Sequence, residues 1–364
     1  MAPSHPNMGS MMVLAQRSSQ GPEAQMNPLQ RVLAATEFRP VDHVAVMPMI
    51  MRFAARLIDA PYSAYLQDSR LLAEAQLRCQ REFGYDYVTV CSDGYREAEA
   101  CGAELSFPYD TTPKVERPAI ESPTDLKRKT VPDPETTGRM KDRIESIRHF
   151  RRAIGGEVLI LGWVEGPFAS AAAMCGLEPL LVNMAIDEGF VRDTLEYTLA
   201  VGIAFAEAQI RAGAEMIGIG DAAASLISPR HYETLALPYE TRLVQAIQRA
   251  GAKAKLHICG NTSHLLQLMP RTGADVINVD WMVDLRASRQ AFGAKTCLKG
   301  NLDPVAWMLQ SNPEAILSKC REDIATGGTT GYILSPGCEI APETPPDNLR
   351  AMVEAAQITE DSTA

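Results

Sequence analysis

Short runs of β-branched and aliphatic residues recur along the chain. Between them lie longer stretches in which apolar side chains return every three or four positions. The runs are Val44 to Met47, Tyr87 to Val90, Val158 to Leu161, Met216 to Ile219, Lys255 to Ile258, Val276 to Val279, Thr296 to Lys299 and Tyr332 to Leu334. Brief apolar runs read as buried strands and the three-to-four period as amphipathic helix, so the chain predicts eight strands alternating with helices. That order is the pattern of an α/β fold, a (β/α)8 TIM barrel, over a single domain spanning 27–364.

Helix starts support this order. Asn27-Pro28 supplies a cap and a first-turn proline, and Ser228-Pro229 does the same ahead of His231 to Ala250. Asp303-Pro304 is expected to open one helix running towards Ala325, stopped by Gly327-Gly328. Between Gly102 and Pro134 the prolines at 108, 113, 118, 123, 132 and 134 leave no helical period. The second βα connection is therefore expected to carry a long excursion, a hairpin or lid over one barrel face. Residues 1–26, rich in Ser, Pro, Gln and Met without periodicity, read as a mobile tail.

Composition narrows the partners. A net charge of −10 and a pI near 5.2, with Lys127-Arg128-Lys129 too short a basic run to matter, argue against a nucleic-acid surface. No run approaches the roughly eighteen apolar residues of a membrane span. Eight cysteines without dense spacing, and no export signal, point to a reducing cytoplasm.

Barrel enzymes build their sites from the C-terminal ends of the strands. Here those positions offer Met49 and Met51, Asp93, Trp163 with Glu165, Asp221, His257 with Cys259, Asp280, Asn301 with Asp303, and Cys338 with Glu339. His257 and Cys259 are two apart in a strand and so share a face, while Cys338 arrives from another strand. One imidazole and two thiols, with no fourth Cys or His beside them, make the donor set of a zinc site with an open position. The plain alternative is packing, because free cysteines are among the most buried residues and a strand histidine is often a satisfied core residue. Cys79, Cys91, Cys101, Cys175, Cys297 and Cys320 have no partner at metal-ligand spacing and read as packing residues. Asp93, Asp221 and Asp280 are candidate catalytic carboxylates, although aspartates at strand ends also serve turns and caps. Arg52 and Arg56, four apart on one helix face, are candidate substrate contacts with Met49, or an ion-paired solvated face. The run Gly327 to Gly331 precedes a strand and reads as a helix stop, not a phosphate loop.

Three stretches carry a resemblance: Phe83-Gly84-Tyr85-Asp86, Leu298-Lys299-Gly300-Asn301-Leu302-Asp303-Pro304, and Gly331-Tyr332-Ile333-Leu334 running into Pro342-Glu343-Thr344-Pro345-Pro346-Asp347-Asn348-Leu349. The chain resembles the uroporphyrinogen decarboxylase superfamily, (β/α)8 barrels that include porphyrinogen decarboxylases and cobalamin-linked methyltransferases. Decarboxylases have His where Cys338 stands and lack the His-x-Cys. The methyltransferase branch, similar to methylcobamide:coenzyme M methyltransferases, keeps His-x-Cys and a distant Cys as zinc ligands. The resemblance thus implies Zn2+ on His257, Cys259 and Cys338. It further implies a cobalamin presented by a separate corrinoid protein, and a small thiol, ether or amine as methyl acceptor or donor. Trp163, with Met49, Met51 and Trp281, would face a corrinoid edge or a small aromatic donor, and Asn301 is a further cofactor contact. Met51-Arg52-Phe53-Ala54-Ala55-Arg56 pulls the other way, since it resembles the decarboxylase motif Met-Arg-Gln-Ala-Gly-Arg, and Asp93 falls near that enzyme's pyrrole-binding aspartate. Phe53 and Ala55 break the motif. A tetrapyrrole decarboxylase using Arg52, Arg56 and Asp93 is the alternative. A zinc hydrolase with Asp221 or Glu339 as base, and a module without catalysis, stand behind it. Monomer and homodimer both remain open.

Overall fold

The computed structural model describes residues 25–357, so the predicted tail lies outside the described residues except for its last two positions. In chain order the strands are β1 (Ala45–Val46), β2 (Tyr87–Thr89), β3 (Glu104–Ser106), β4 (Lys114–Arg117), β5 (Leu159–Glu165), β6 (Met216–Gly220), β7 (Lys253–His257), β8 (Val276–Asn278), β9 (Cys297–Leu302) and β10 (Tyr332–Pro336). Among the described residues, eight of them form one parallel sheet in the order β1-β10-β9-β8-β7-β6-β5-β2, curled into a (β/α)8 barrel. The remaining two, β3 and β4, pair antiparallel and are the hairpin of the expected excursion. Barrel strands are covered on both faces, which is why they read as continuous apolar runs.

The sheet is closed by a side chain. Between β1 and β2 the ladder is reduced to Asp86 N–H donating to the Val46 carbonyl at 2.9 Å, so the Asp86 carboxylate takes over and accepts the Val46 N–H at 2.6 Å. Arg31, from the first helix Pro28–Thr36, donates to both Asp86 and Asp42. Burial pushes Asp86 up to about 6 even with Arg31 beside it. Gly84, at φ +73°, ends the helix Ser69–Phe83 in a left-handed turn that feeds Asp86 into this seam.

Local signals explain the helices. Asn27 and Gln30 form a reciprocal capping box, and Ser228 caps the start at Pro229. A π-helical turn, Tyr232–Ala236, then interrupts the helix before it continues as Leu237–Arg249. The single helix expected from Pro304 to Ala325 is instead two segments, Pro304–Leu309 and Pro313–Gly327. Pro313 cannot donate an N–H and bars its predecessor from helical geometry, so Asn312 becomes a second cap. No single helix among the described residues is long and apolar enough to cross a membrane, and the apolar pair Pro167–Cys175 and Leu177–Ile186 meets at a bend of 106°.

Asp86→Ala leaves the Val46 N–H unpaired and Arg31 with one carboxylate fewer. Breaking a buried pair from one side is expected to cost about 3–5 kcal/mol. Urea unfolding of the variant checks this, and a loss below ~1 kcal/mol would remove Asp86 as the closing element.

Candidate metal centre

Alternation along β7 turns Lys255 and His257 into the barrel, and Cys259 follows just past the strand end. His257 is buried, and its Nδ1 lies 3.1 Å from the carbonyl of Asn278, its register partner on β8. A carbonyl only accepts, so Nδ1 carries the proton and the Nε2 lone pair turns to the thiols. Cys259 Sγ stands 3.0 Å from Nε2. Cys338 lies beyond β10, brought in by Gly337: a Cβ there would fall 2.2 Å from the Trp281 nitrogen. Its sulfur comes to 3.8 Å from that of Cys259. The three ligand atoms all lie within 4.8 Å of one another.

Two sulfurs at about 2.3 Å from a tetrahedral zinc sit about 3.8 Å apart, so the donors present fit that ion. The hydrogen bond from Cys259, helped by His257, pulls the Cys338 thiol down to about 4. The same bond, burial, and the nearby Asp280 and Glu165 push Cys259 upward. One sulfur of the pair therefore ionises readily and holds back the other.

Two lysines lie beneath the sulfurs, both buried. Lys255 Nζ has no hydrogen-bond partner among the described residues and sits 4.5 Å from the centre of the Trp163 ring; burial pushes it down to about 8, while Cys91, Cys259 and Cys338 oppose. Lys299 Nζ donates to Asn278 Oδ1 at 2.8 Å and Ser335 Oγ at 2.6 Å, and burial lowers it well below its ordinary value. Neither lysine was singled out in the sequence. The signal was there for Lys255, which shares the alternating face of His257 and Cys259.

The other expected residues are placed as follows. Asp93 is fully engaged: it accepts from Arg139 at 2.6 Å, Ser92 Oγ at 2.9 Å and the Tyr95 N–H at 3.0 Å. Burial works against ionisation, yet Arg139 and Arg96 hold it at about 2. Asp221 is wholly buried and accepts the Ala169 and Phe168 N–H groups that open the helix Pro167–Cys175. Burial lifts it to about 6, and it adjoins Glu240, which takes the Tyr232 hydroxyl. Both aspartates are used by the scaffold. Asp280 stays with the centre, close enough to Cys259 to raise it, while its Oδ1 accepts the Met282 N–H at 3.1 Å.

Asn301 spends its amide hydrogens on the carbonyls of Asp280 and Val283, at 3.0 and 2.6 Å, and so clamps the β8 exit. Trp163 is an interior residue lying flat on β6, where a Cβ on Gly218 or Gly220 would come within 2.4 or 2.9 Å of its ring. The amide hydrogens of Asn301 and the indole N–H of Trp163 are thus held by protein acceptors. Met49 is buried in a bridge with Glu339. Arg52 pairs with Glu339 and Arg56 with Glu343. Arg52, Arg56 and Glu343 line a cavity of about 520 Å³ with Asp59 and with Tyr109 and Asp110 from the hairpin tip, and His257, Cys259 and Cys338 are not part of its lining.

The sequence marks Glu165 only as a strand-end position. Its Oε1 accepts from Arg96 at 2.9 Å and from the Trp163 indole at 3.0 Å, and burial, opposed by Arg96, pushes it up to about 8.

A parallel barrel with its donors at the strand ends is the setting, and the class follows. The profile of the uroporphyrinogen decarboxylase (URO-D) family matches residues 27–358, and the chain belongs to that family. Over 339 residues it is 30% identical to methylcobamide:CoM methyltransferase MtbA of Methanosarcina acetivorans, covering 91% of this chain and 97% of that protein. It is 29% identical over 351 residues to the uroporphyrinogen decarboxylase of Trichodesmium erythraeum, covering 92% and 97%. Among solved structures, a methyltransferase from Methanosarcina mazei superposes with a TM-score of 0.84 at 25% identity, over 91% of this chain and 98% of that one.

The buried Asp93 carboxylate ties stability to pH. Its folded value lies below the ordinary 3.8, so its stabilising effect is complete above that value and is lost as pH falls through about 2. Asp93→Asn is expected to lower thermal stability at pH 7, with the two melting curves converging towards pH 2. A gap that stays constant with pH would show that the charge of Asp93 is not what matters.

Proposed function

We propose that this chain is a zinc-dependent methyltransferase moving a methyl group between a corrinoid carried by a separate protein and a small thiol, ether or amine. The observation that carries the reading is the convergence of one imidazole nitrogen and two sulfurs, at 3.0 and 3.8 Å, from two barrel strands. Full-length relatives named as methyltransferases support it. We take 27–364 as one catalytic domain.

His257, Cys259 and Cys338 would hold the metal. Zinc there would supply an open, Lewis-acidic place at which a substrate heteroatom sheds its proton more readily. This chain's residues do the rest. The Asn278 carbonyl keeps the imidazole in its ligating tautomer. Lys255 places positive charge beneath the sulfurs and favours their ionised form. Asp280 stands beside Cys259, where it can face a bound substrate.

A tetrapyrrole decarboxylase would need Arg52, Arg56 and Asp93 for its substrate. Each already has an ion-pair partner, in Glu339, Glu343 and Arg139. A hydrolase using Asp221 or Glu339 meets a similar difficulty, since Asp221 serves a helix start and Glu339 holds Arg52.

Metal content by mass spectrometry tests the reading. Wild type is expected to carry about one zinc per chain and Cys338→Ser much less. Methyl transfer from methylcobalamin to 2-mercaptoethanol should be lost on chelation and return with zinc. A wild-type protein that holds no zinc, or that transfers equally well without it, overturns the proposal.

A further inference from the structure

The register places Glu165, Gly220 and His257 side by side on β5, β6 and β7. Between the carboxyl and the imidazole stands a residue without a side chain. A Cβ at Gly220 would sit 3.3 Å from Glu165 Oε2, and one at Gly94 would sit 3.5 Å away. The two glycines thus leave room for this oxygen, which shares the space over Gly220 with the Trp163 ring, 2.9 Å from the same Cβ position. Its sister Oε1 is anchored by Arg96 at 2.9 Å and by the Trp163 indole at 3.0 Å, whereas Oε2 has no hydrogen-bond partner among the described residues. The backbone is held as well, since Glu97 accepts the Glu165 N–H at 2.8 Å. One oxygen is fixed and the other is left free between Gly94 and Gly220, and Gly220 is the register neighbour of His257.

We infer that Glu165 is a catalytic residue whose Oε2 carries the proton of the substrate heteroatom, which deepens the methyltransferase reading and rests on it. For a thiol acceptor, the S–H bond breaks, its electron pair stays on sulfur, and the proton bonds to Oε2. The sulfur then takes the methyl group, and the electron pair of the broken Co–C bond stays on the corrinoid cobalt. The proton passes to water once the thioether leaves. With an ether or amine donor the proton moves the other way, from Oε2 to the departing heteroatom.

The surroundings suit this role. Asp93, Tyr95, Arg96 and Glu97 face Glu165 from the β2 exit and the helix after it, with Cys91 at the end of β2 and Cys259 beyond β7. Burial outweighs Arg96 and, with Glu97 and Asp93, brings the carboxyl to about 8. A free thiol ionises near 8.5, so transfer between them is close to balanced. Asp93 and Asp221 lack this freedom, their oxygens being taken by Arg139 and by a helix start.

Calorimetry of 2-mercaptoethanol binding to zinc-loaded protein at pH 8, in two buffers of different protonation enthalpy, counts the protons released. Glu165→Gln preserves the acceptor for Arg96 and Trp163 and is expected to release about one proton per thiol bound, with wild type at about half of that. Glu165→Asp should return the count towards wild type. With methylcobalamin as donor, kcat of the Gln variant should fall about 100-fold at unchanged zinc content. Equal proton counts in wild type and the Gln variant overturn the role of Glu165 while leaving methyl transfer intact. Thiol binding without any methyl transfer by wild type overturns the methyltransferase reading instead, and absence of thiol binding overturns both.

Discussion

Everything in this barrel depends on a carboxylate acting as a strand partner. Parallel strands need neighbours on both sides, and between β1 and β2 the backbone supplies only a single bond. Asp86 makes good the deficit and is charged for it, because burial raises the cost of its ionised form. Arg31 compensates, being anchored in turn by Asp42. The consequence runs past the seam. β1 pairs on its other side with β10, and a second bridge joins Met49 to Glu339, next to Cys338. Closure on one side therefore holds a candidate metal donor on the other.

The interior follows from where β6 omits side chains. Gly218 and Gly220 admit the Trp163 indole, whose face meets Lys255 and whose N–H holds Glu165. A cation over an indole face is favourable but does not replace hydrogen bonds. Lys255 thus remains an incompletely compensated charge next to two sulfurs, and each stabilises the ionised state of the other. Lys299 is tied through Asn278, the same residue whose carbonyl orients His257. The candidate metal donors and the two buried lysines are parts of one polar network.

Much of this was legible in the chain. The eight predicted runs begin within two residues of the observed strands, because a parallel barrel needs apolar residues on both strand faces. The clustering of His257, Cys259 and Cys338 was legible because period two puts the first two on one face and the barrel gathers strand ends. The partners of the carboxylates were not. Alternation tells which way Asp93 points, but Arg139 reaches it from a helix 46 residues later, and Asp221 meets a helix start 52 residues earlier. The break at Asn312-Pro313 was a visible cap signal, hidden by the stronger one at Asp303-Pro304. Glu165 was visible as a position, but the room beside it needed the register of Gly220.

The separation of the donors along the chain has its own consequence. Cys259 and Cys338 are 79 residues apart, and the intervening chain contains β8, β9 and β10. An ion gripping both would close that long loop as a crosslink does, removing conformational entropy from partly unfolded states more than from the native one. The β7 to β10 portion would then open only together with release of the ion, and its amide hydrogens would exchange with solvent as one cooperative unit.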